Sequence, residues 1–140
     1  MVEQISVFLE NETGRLADAV DVLARNAIDL RALSLADESD FGILRLIVSD
    51  TDRAVAVLKD AGFTVRRTPV VAVEVPDRPG GLATLLHALR GVDVEYMYAF
   101  VRRSGEQALV VFRFEDVETA VERLRGAGAK LLSSADVEKL

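Results

Sequence analysis

Residues 73–82 read Val-Glu-Val-Pro-Asp-Arg-Pro-Gly-Gly-Leu, and residues 7–16 read Val-Phe-Leu-Glu-Asn-Glu-Thr-Gly-Arg-Leu. Both stretches begin with the alternation of a strand, continue through a turn rich in Asn, Asp, Pro or Gly, and reach a leucine that opens a helical pattern. Gly80 lies 66 positions after Gly14. This repeated strand-turn-helix start indicates that the chain contains one structural unit twice.

The repeat extends over most of the chain. Matches at the same spacing of 66 positions join leucines and glycines of the two halves, namely Leu16 and Leu82, Leu23 and Leu89, Leu58 and Leu124, Gly62 and Gly128. Between the helices, Ile28 and Leu30 match Val92 and Val94 at 64 positions, so the second copy is two residues shorter there.

Within each copy the apolar period changes in one order, from strand to helix to two strands to helix to strand. In the first copy the strands are 5–9, 28–36, 41–48 and 63–67, with helices that contain Leu16, Val20 and Leu23 and then Ala54, Val55 and Leu58. A polar turn at 37–40 makes a hairpin, Asp50-Thr51 can cap the second helix, and Gly62 ends it. In the second copy the strands are 71–75, 92–101, 108–114 and 129–132, with helices at about 79–90 and 117–127.

This order predicts an α+β chain of two ferredoxin-like βαββαβ modules side by side, each with an antiparallel sheet and its helices on one face. We place module 1 at residues 1–68 and module 2 at residues 69–140, with 134–140 as a tail. The junction at Thr68-Pro69 is too short for a flexible linker, so we expect the modules to be rigidly packed.

Several strands are apolar on both faces, which favours burial of both. The residues out of phase with Leu44 and Leu46 are Leu33, Leu35, Ile43 and Ile47 in module 1, and Met97, Val101, Leu109 and Val111 in module 2. Because helices cover only one face, we expect the other to meet a second subunit, which predicts a homodimer.

Composition excludes several classes of function. The 140 residues contain no cysteine, which removes disulfides and thiolate chemistry and is compatible with the cytoplasm. A net charge of −6 without a basic tract argues against nucleic acid as a partner. The amino terminus reads as a strand and no segment is apolar enough to span a membrane, so no membrane association is expected.

The turns before the first helix of each copy are the candidate ligand sites. Glycine permits close approach of backbone, and the first turn of a helix presents unpaired N–H groups that suit a carboxylate. Asn11 and Asp77 would cap these helices or receive an amino group. The alternative is an ordinary strand-to-helix turn, which uses the same residue types.

The stretches 5–16 and 73–82, each followed by an apolar-Asp-apolar segment, resemble the ACT family, with module 2 matching its Asp-x-Pro-Gly-x-Leu pattern and module 1 carrying Thr13 in place of the proline. The resemblance implies a regulatory protein that binds an amino acid between modules. It implies that Asn11, Gly14, Arg15 and Leu16 face Asp93, Val94 and Glu95, and that Asp77, Gly80, Gly81 and Leu82 face Asp29, Leu30 and Arg31. Arg15 and Arg31 could bind the carboxylate or simply be solvated.

No catalytic group is readable, so we do not expect an enzyme. His87, the only histidine, lies in a helical run without a nucleophile at a telling spacing, and neither a metal-ligand cluster nor a phosphate loop is present. No cofactor is therefore expected. Tyr96, Tyr98 and Phe100 share one strand face and could line a pocket or be core. The alternative to a sensor that acts on a regulated enzyme or regulator is a non-catalytic oligomerisation module that has lost its ligand.

Overall fold

A computed structural model describes residues 1–10, 12–37 and 40–140. Within those ranges the elements follow in the order β1 (Val2–Glu10), α1 (Arg15–Arg25), β2 (Leu30–Asp37), β3 (Phe41–Val48), α2 (Thr51–Asp60), β4 (Thr64–Pro76), α3 (Gly81–Ala88), β5 (Val94–Ala99), β6 (Gln107–Phe114), α4 (Val117–Gly126) and α5 (Ser134–Glu138). This confirms the two-module α+β fold.

The strands form one antiparallel six-stranded sheet in the order β2-β3-β1-β4-β6-β5. The predicted hairpin is confirmed, since β2 pairs with β3, while Glu38 and Ser39 of its turn lie outside the described residues. Asp50 caps α2 as expected, because its carboxylate accepts a hydrogen bond from the N–H of Arg53.

The two modules share a strand, which the sequence did not predict. β4 runs without interruption through Thr68-Pro69, and its first half pairs with β1 while its second half pairs with β6. The strand predicted at 129–132 is wrong as a full strand. It is reduced to a bridge between Leu131 and Val73, and the N–H of Glu74 donates to the carbonyl of Lys130 at 2.9 Å.

Each module has its own core between sheet and helices. In module 1, Ile5, Leu46 and Leu58 are fully shielded from solvent; in module 2, Phe112 and Leu124 take the same role. Burial of such side chains stabilises a fold by about 1.5–3 kcal/mol each.

The sheet face away from the helices is covered within the chain, which corrects the expectation that a second subunit covers it. The two ends of the sheet meet where Ala32 of β2 bridges Phe100, the residue after β5, and the N–H of Val101 donates to the carbonyl of Arg31. A third core then lies between the modules and contains Ile47 and Val111. The modules are therefore each other's cover on this face.

A polar network joins the modules inside this third core. Fully buried Gln4 donates to the hydroxyl of Tyr96 at 2.9 Å and accepts from the hydroxyl of Tyr98 at 2.6 Å. The guanidinium of Arg45 lies 3.8 Å from the ring centre of Tyr96. Burial raises the pKa of Tyr98, which keeps its hydroxyl protonated as a donor. These tyrosines are therefore part of the contact between modules.

Leu33 and Leu35 lie on the helix face of the sheet, contrary to the sequence pattern. A register shift between Leu30 and Ala32 reverses the alternation, so that Leu33 pairs with Leu46 and Leu35 with Leu44. Both lie on edge strand β2 beyond the cover of the helices and remain 42% and 55% exposed.

The predicted tail at 134–140 is instead the helix α5. Ser133 and Asp136 form a capping box, and the side chain of Val137 is buried in the third core. Arg31, itself only 8% exposed, donates to the carbonyls of Val137 at 3.3 Å and Glu138 at 3.0 Å. The C-terminal segment is thus fastened to β2.

Candidate functional site

The first helix of each module starts at a left-handed glycine without a side-chain cap. Gly14 has φ 91° and Gly80 has φ 88°, and neither α1 nor α3 receives a hydrogen bond from a capping side chain among the described residues. By contrast, Asp50, Asp116 and Ser133 cap the other three helices. The uncapped starts are thus a property of the repeated loops.

Backbone donors remain unpaired at both starts. The first helical bonds are made by Asp18 to Gly14 and by Thr84 to Gly80, so the N–H groups of the second and third residues of each helix have no partner within the part of the chain that is described. These donors belong to Leu16, Ala17, Leu82 and Ala83. Such groups, together with the helix dipole, favour a bound anion.

The two residues predicted to cap these helices, Asn11 and Asp77, differ in outcome. The carboxylate of Asp77 does not cap α3; it pairs with Arg103 at 2.8 Å. Asn11 lies outside the described residues. Asp77 therefore lies at the loop surface, where its carboxylate is paired with a cation of its own module.

Beside the first glycine loop lies an open cavity of about 470 Å³. Its walls include the apolar side chains of Leu9, Leu16 and Leu35, while Glu12 and Asp37 add carboxylates. Arg15 is also at the wall. The cavity thus combines acids, an apolar surface and a positive helix start, which matches the charges of an amino acid.

Arg15 is the best-placed cation at this loop. Its guanidinium carbon lies 4.2 Å from the ring centre of Phe63, and its Nε is buried with no hydrogen-bond partner among the described residues. Asp18 pairs with its terminal nitrogen at 3.5 Å. Because Nε is held away from water, an acceptor that reached it would relieve an unsatisfied donor.

The second glycine loop borders two cavities. One of about 320 Å³ is lined by Asp77, Arg78, Arg103 and Glu106. The other, of about 280 Å³, lies between the start of α3 and residues 127–130. Like the cavity at the first loop, both are lined by residues of their own module.

Residues 29–31 at the start of β2 and residues 93–95 at the start of β5 lie away from these cavities. Asp29 pairs with Arg31 and also with Arg102 at 3.4 Å, at the seam between β2 and β5. Glu95 pairs with Arg113 at 3.6 Å. Leu30 and Val94 are half-buried strand residues and Asp93 is exposed. None of residues 29–31 or 93–95 lines the cavities beside the glycine loops.

Sequence reasoning missed two features of these loops. A Cβ at Gly81 would lie 2.0 Å from the carbonyl oxygen of Pro76, so this glycine is needed for close approach. Lys130 pairs with Glu74 at 3.5 Å beside the same loop. The adjacent glycines at 80 and 81 were a signal for the close approach at Gly81. The ion pair of Lys130 with Glu74 depends on the pairing of distant segments, which the sequence does not reveal.

The described ranges contain no cluster of metal-ligating side chains. No three His, Asp or Glu side chains gather closely enough there to hold a metal ion. His87 is exposed and accepts a hydrogen bond from Arg90 at 3.0 Å. None of the described helices is long and apolar enough to cross a lipid bilayer.

A family model described as an ACT domain pair matches residues 1–139. The chain belongs to the ACT domain-pair family. Domains of this family are regulatory rather than catalytic.

Solved structures agree with this assignment of the ACT pair. Protein BT0572 from Bacteroides thetaiotaomicron is 44% identical with a TM-score of 0.90, over 99% of this chain and 96% of that one. The ligand-free regulatory subunit of aspartate kinase from Thermus thermophilus is 18% identical with a TM-score of 0.63, over 89% and 91%. The Thermus flavus subunit has 18% identity and a TM-score of 0.58, over 90% and 92%. These two show the fold alone. Among curated proteins, none matches the chain.

Proposed function

We propose that this ACT pair is a non-catalytic regulatory module that binds a free amino acid at its glycine loops. The single observation that carries the proposal is the repeated helix start at Gly14 and Gly80, which no side chain of the described residues caps. Each start offers a carboxylate N–H groups that have no partner in the described part of the chain, and acidic side chains nearby offer a partner to the ammonium group.

The site is completed, in this proposal, by a module of a second chain. The glycine loop of module 1 then faces 93–95 of the other chain, and the loop of module 2 faces 29–31. The support is that the cavity of about 470 Å³ beside the first loop and the cavity of about 320 Å³ beside the second are open, and that, in one chain, neither strand start lines them. Asp93 and Glu95 are exposed and could receive the ammonium group.

A homodimer also accounts for six of the eight large apolar side chains that are exposed among the described residues. These occur at corresponding elements of both modules, on the first helix and the edge strand, and are Leu16, Leu33, Leu35, Leu82, Leu86 and Met97. An apolar surface on one chain can pack against the same surface of a second chain about a two-fold axis. Regulation follows if the amino acid binds two arrangements of the dimer with different affinities, so that a partner enzyme or regulator responds to it.

Isothermal titration calorimetry with helix-start variants tests the ligand site. Ala17→Glu and Ala83→Glu place a carboxylate at the third position of α1 and α3, where it favours the helix but competes with a bound carboxylate. We expect each to weaken binding at its own loop at least about tenfold. Both positions are exposed, so the fold should be unaffected.

Neutral variants separate charge from size. Ala17→Gln and Ala83→Gln add nearly the same volume without the charge, and should retain affinity within about threefold. If the Glu and Gln variants bind every amino acid as the parent does, the helix starts are not the site. Absence of binding to all twenty amino acids by a stable dimer would instead favour an assembly module.

Leu35→Glu tests the dimer. Its side chain is 55% exposed, so the change should alter the free energy of unfolding by no more than about 0.5 kcal/mol. We expect sedimentation velocity to show loss of the dimer, because a charge is buried at the interface. Ala135→Glu, exposed on α5, is the control and should remain dimeric. A parent chain that sediments as a monomer at all concentrations would contradict the dimer.

A further inference from the structure

We propose that module 2 holds a second small-molecule site, the cavity of about 280 Å³ between the start of α3 and residues 127–130, and that it takes a compact zwitterion with an apolar body. The cavity lies within one module and needs no second chain. It therefore stands independently of the interface site.

Around this cavity module 2 has small residues at two positions where module 1 has large side chains. In module 1 the guanidinium of Arg15 lies over the ring of Phe63. The corresponding residues, 66 positions later, are Gly81 and Ala129, and both line the cavity. With a glycine and an alanine at these positions, the cavity in module 2 is not walled there by an arginine and a phenylalanine side chain.

Strand register confirms that these positions correspond. Phe8 pairs with Thr64 in module 1, and the residues 66 positions later, Glu74 and Lys130, are joined by a backbone hydrogen bond. Likewise, the pair Glu10 and Phe41 corresponds to the pair Pro76 and Gln107. Phenylalanines at 8 and 41, which contact each other in module 1, are thus Glu74 and Gln107 beside the cavity.

The walls carry opposite charges at fixed places. The carboxylate of Glu74, with its side chain 16% exposed, pairs with the ammonium of Lys130, which is 66% exposed. Arg78 is a second cation at the wall, and Pro76 and Leu85 are apolar. A zwitterion can place its ammonium on Glu74 and its carboxylate on Lys130, since the exposed lysine is free to turn toward it.

The wall at the start of α3 is backbone. Because a Cβ at Gly81 would collide with the carbonyl oxygen of Pro76, no side chain of this residue can fill the space. Module 1 has a depression of about 230 Å³ at the matching place, but Arg15 and Phe63 are themselves its walls and α1 contributes Asp18, Asp21 and Arg25. The two modules thus differ in what they offer a ligand.

Two-dimensional amide NMR of the full chain tests the site with L-alanine, L-valine and L-leucine as probes. We expect at least one of them to shift the amides of residues 78–85 and 127–131. For valine, isobutylamine lacks the carboxylate and isovalerate lacks the ammonium group. Each should shift these amides with at least about tenfold lower affinity than valine if valine binds.

Ala129→Phe restores the module 1 side chain and should abolish those shifts, while Ala135→Phe on the exposed face of α5 should not. Glu74→Gln and Lys130→Met should weaken binding without filling the space, and an unchanged melting temperature identifies folded variants. Shifts that survive Ala129→Phe, or no shift at 78–85 and 127–131 with any probe, would overturn the proposal. Shifts at 78–85 without shifts at 127–131, or shifts confined to 12–17 and 35–37, would overturn it while supporting the interface site.

Discussion

Replacement of Arg31 by methionine is expected to lower the free energy of unfolding by about 2–4 kcal/mol, because hydrogen bonds to charged groups contribute about 1.5–3 kcal/mol. Its guanidinium is almost fully buried, holds the carbonyls of Val137 and Glu138, and pairs with Asp29. Methionine keeps much of the side-chain volume, so the loss reports these polar contacts. Urea denaturation measures the change.

Arg102→Met is the matched control for this prediction. Arg102 also pairs with Asp29, at 3.4 Å, but its side chain is 55% exposed. Exposed ion pairs contribute little, so we expect a change below about 1 kcal/mol. Equal effects of the two substitutions would show that Arg31 does not fasten α5 to β2. Hydrogen exchange at Val137 should increase in Arg31→Met alone.

Replacement of Gly81 by alanine is expected to destabilise the chain by about 2–4 kcal/mol, since forcing an added carbon into packed structure costs about 1–3 kcal/mol and occasionally more. The new Cβ would lie 2.0 Å from the carbonyl oxygen of Pro76, a backbone atom that cannot move without displacing β4. Thermal and urea unfolding of the variant measure the loss.

Two other glycines calibrate this effect. A Cβ at residue 80 would meet no atom within 4 Å, but Gly80 has φ 88°. Gly80→Ala should therefore destabilise the chain by about 1–2 kcal/mol, through the left-handed backbone conformation alone. Gly126→Ala, at the end of α4, also meets no atom within 4 Å and should stabilise by about 0.5 kcal/mol. A loss at Gly81 no larger than at Gly80 would contradict the collision.

Local patterns were enough to predict most of the fold. β3 begins and ends at the predicted Phe41 and Val48, and α4 differs from its predicted range by one residue at its end. These elements combine a clear apolar period with a turn or cap at each end. Because the same order of elements occurs twice in the sequence, the βαββαβ topology of each module could be predicted.

The differences arise where tertiary contacts decide the structure. Strand β4 passes through Pro69 because its first half pairs with β1 and its second half pairs with β6 on the opposite side. No local sequence pattern indicates this pairing. The register shift after Leu30 reverses a face without a glycine or proline to mark it. For α5 a signal was present, since Ser133 and Asp136 have the spacing of a capping box.

The candidate site was predictable in its loops and not in its surroundings. Gly14 and Gly80 were identified from composition and repetition, and both have the left-handed conformation that requires glycine. The contacts of Arg31 with α5 follow from chain segments about a hundred residues apart, which one sequence does not reveal. The pairing of loops with 93–95 and 29–31 stays a prediction.

Thermal unfolding of the purified chain against each of the twenty amino acids tests the central claim, that this ACT pair binds an amino acid, most directly. A ligand at 100 times its dissociation constant stabilises the native state by about 2.7 kcal/mol, which corresponds to a rise of about 5–10 °C in melting temperature for a chain of this size. We predict such a rise for one amino acid or a few closely related ones, with none for the rest. The same melting temperature in all twenty would contradict the claim.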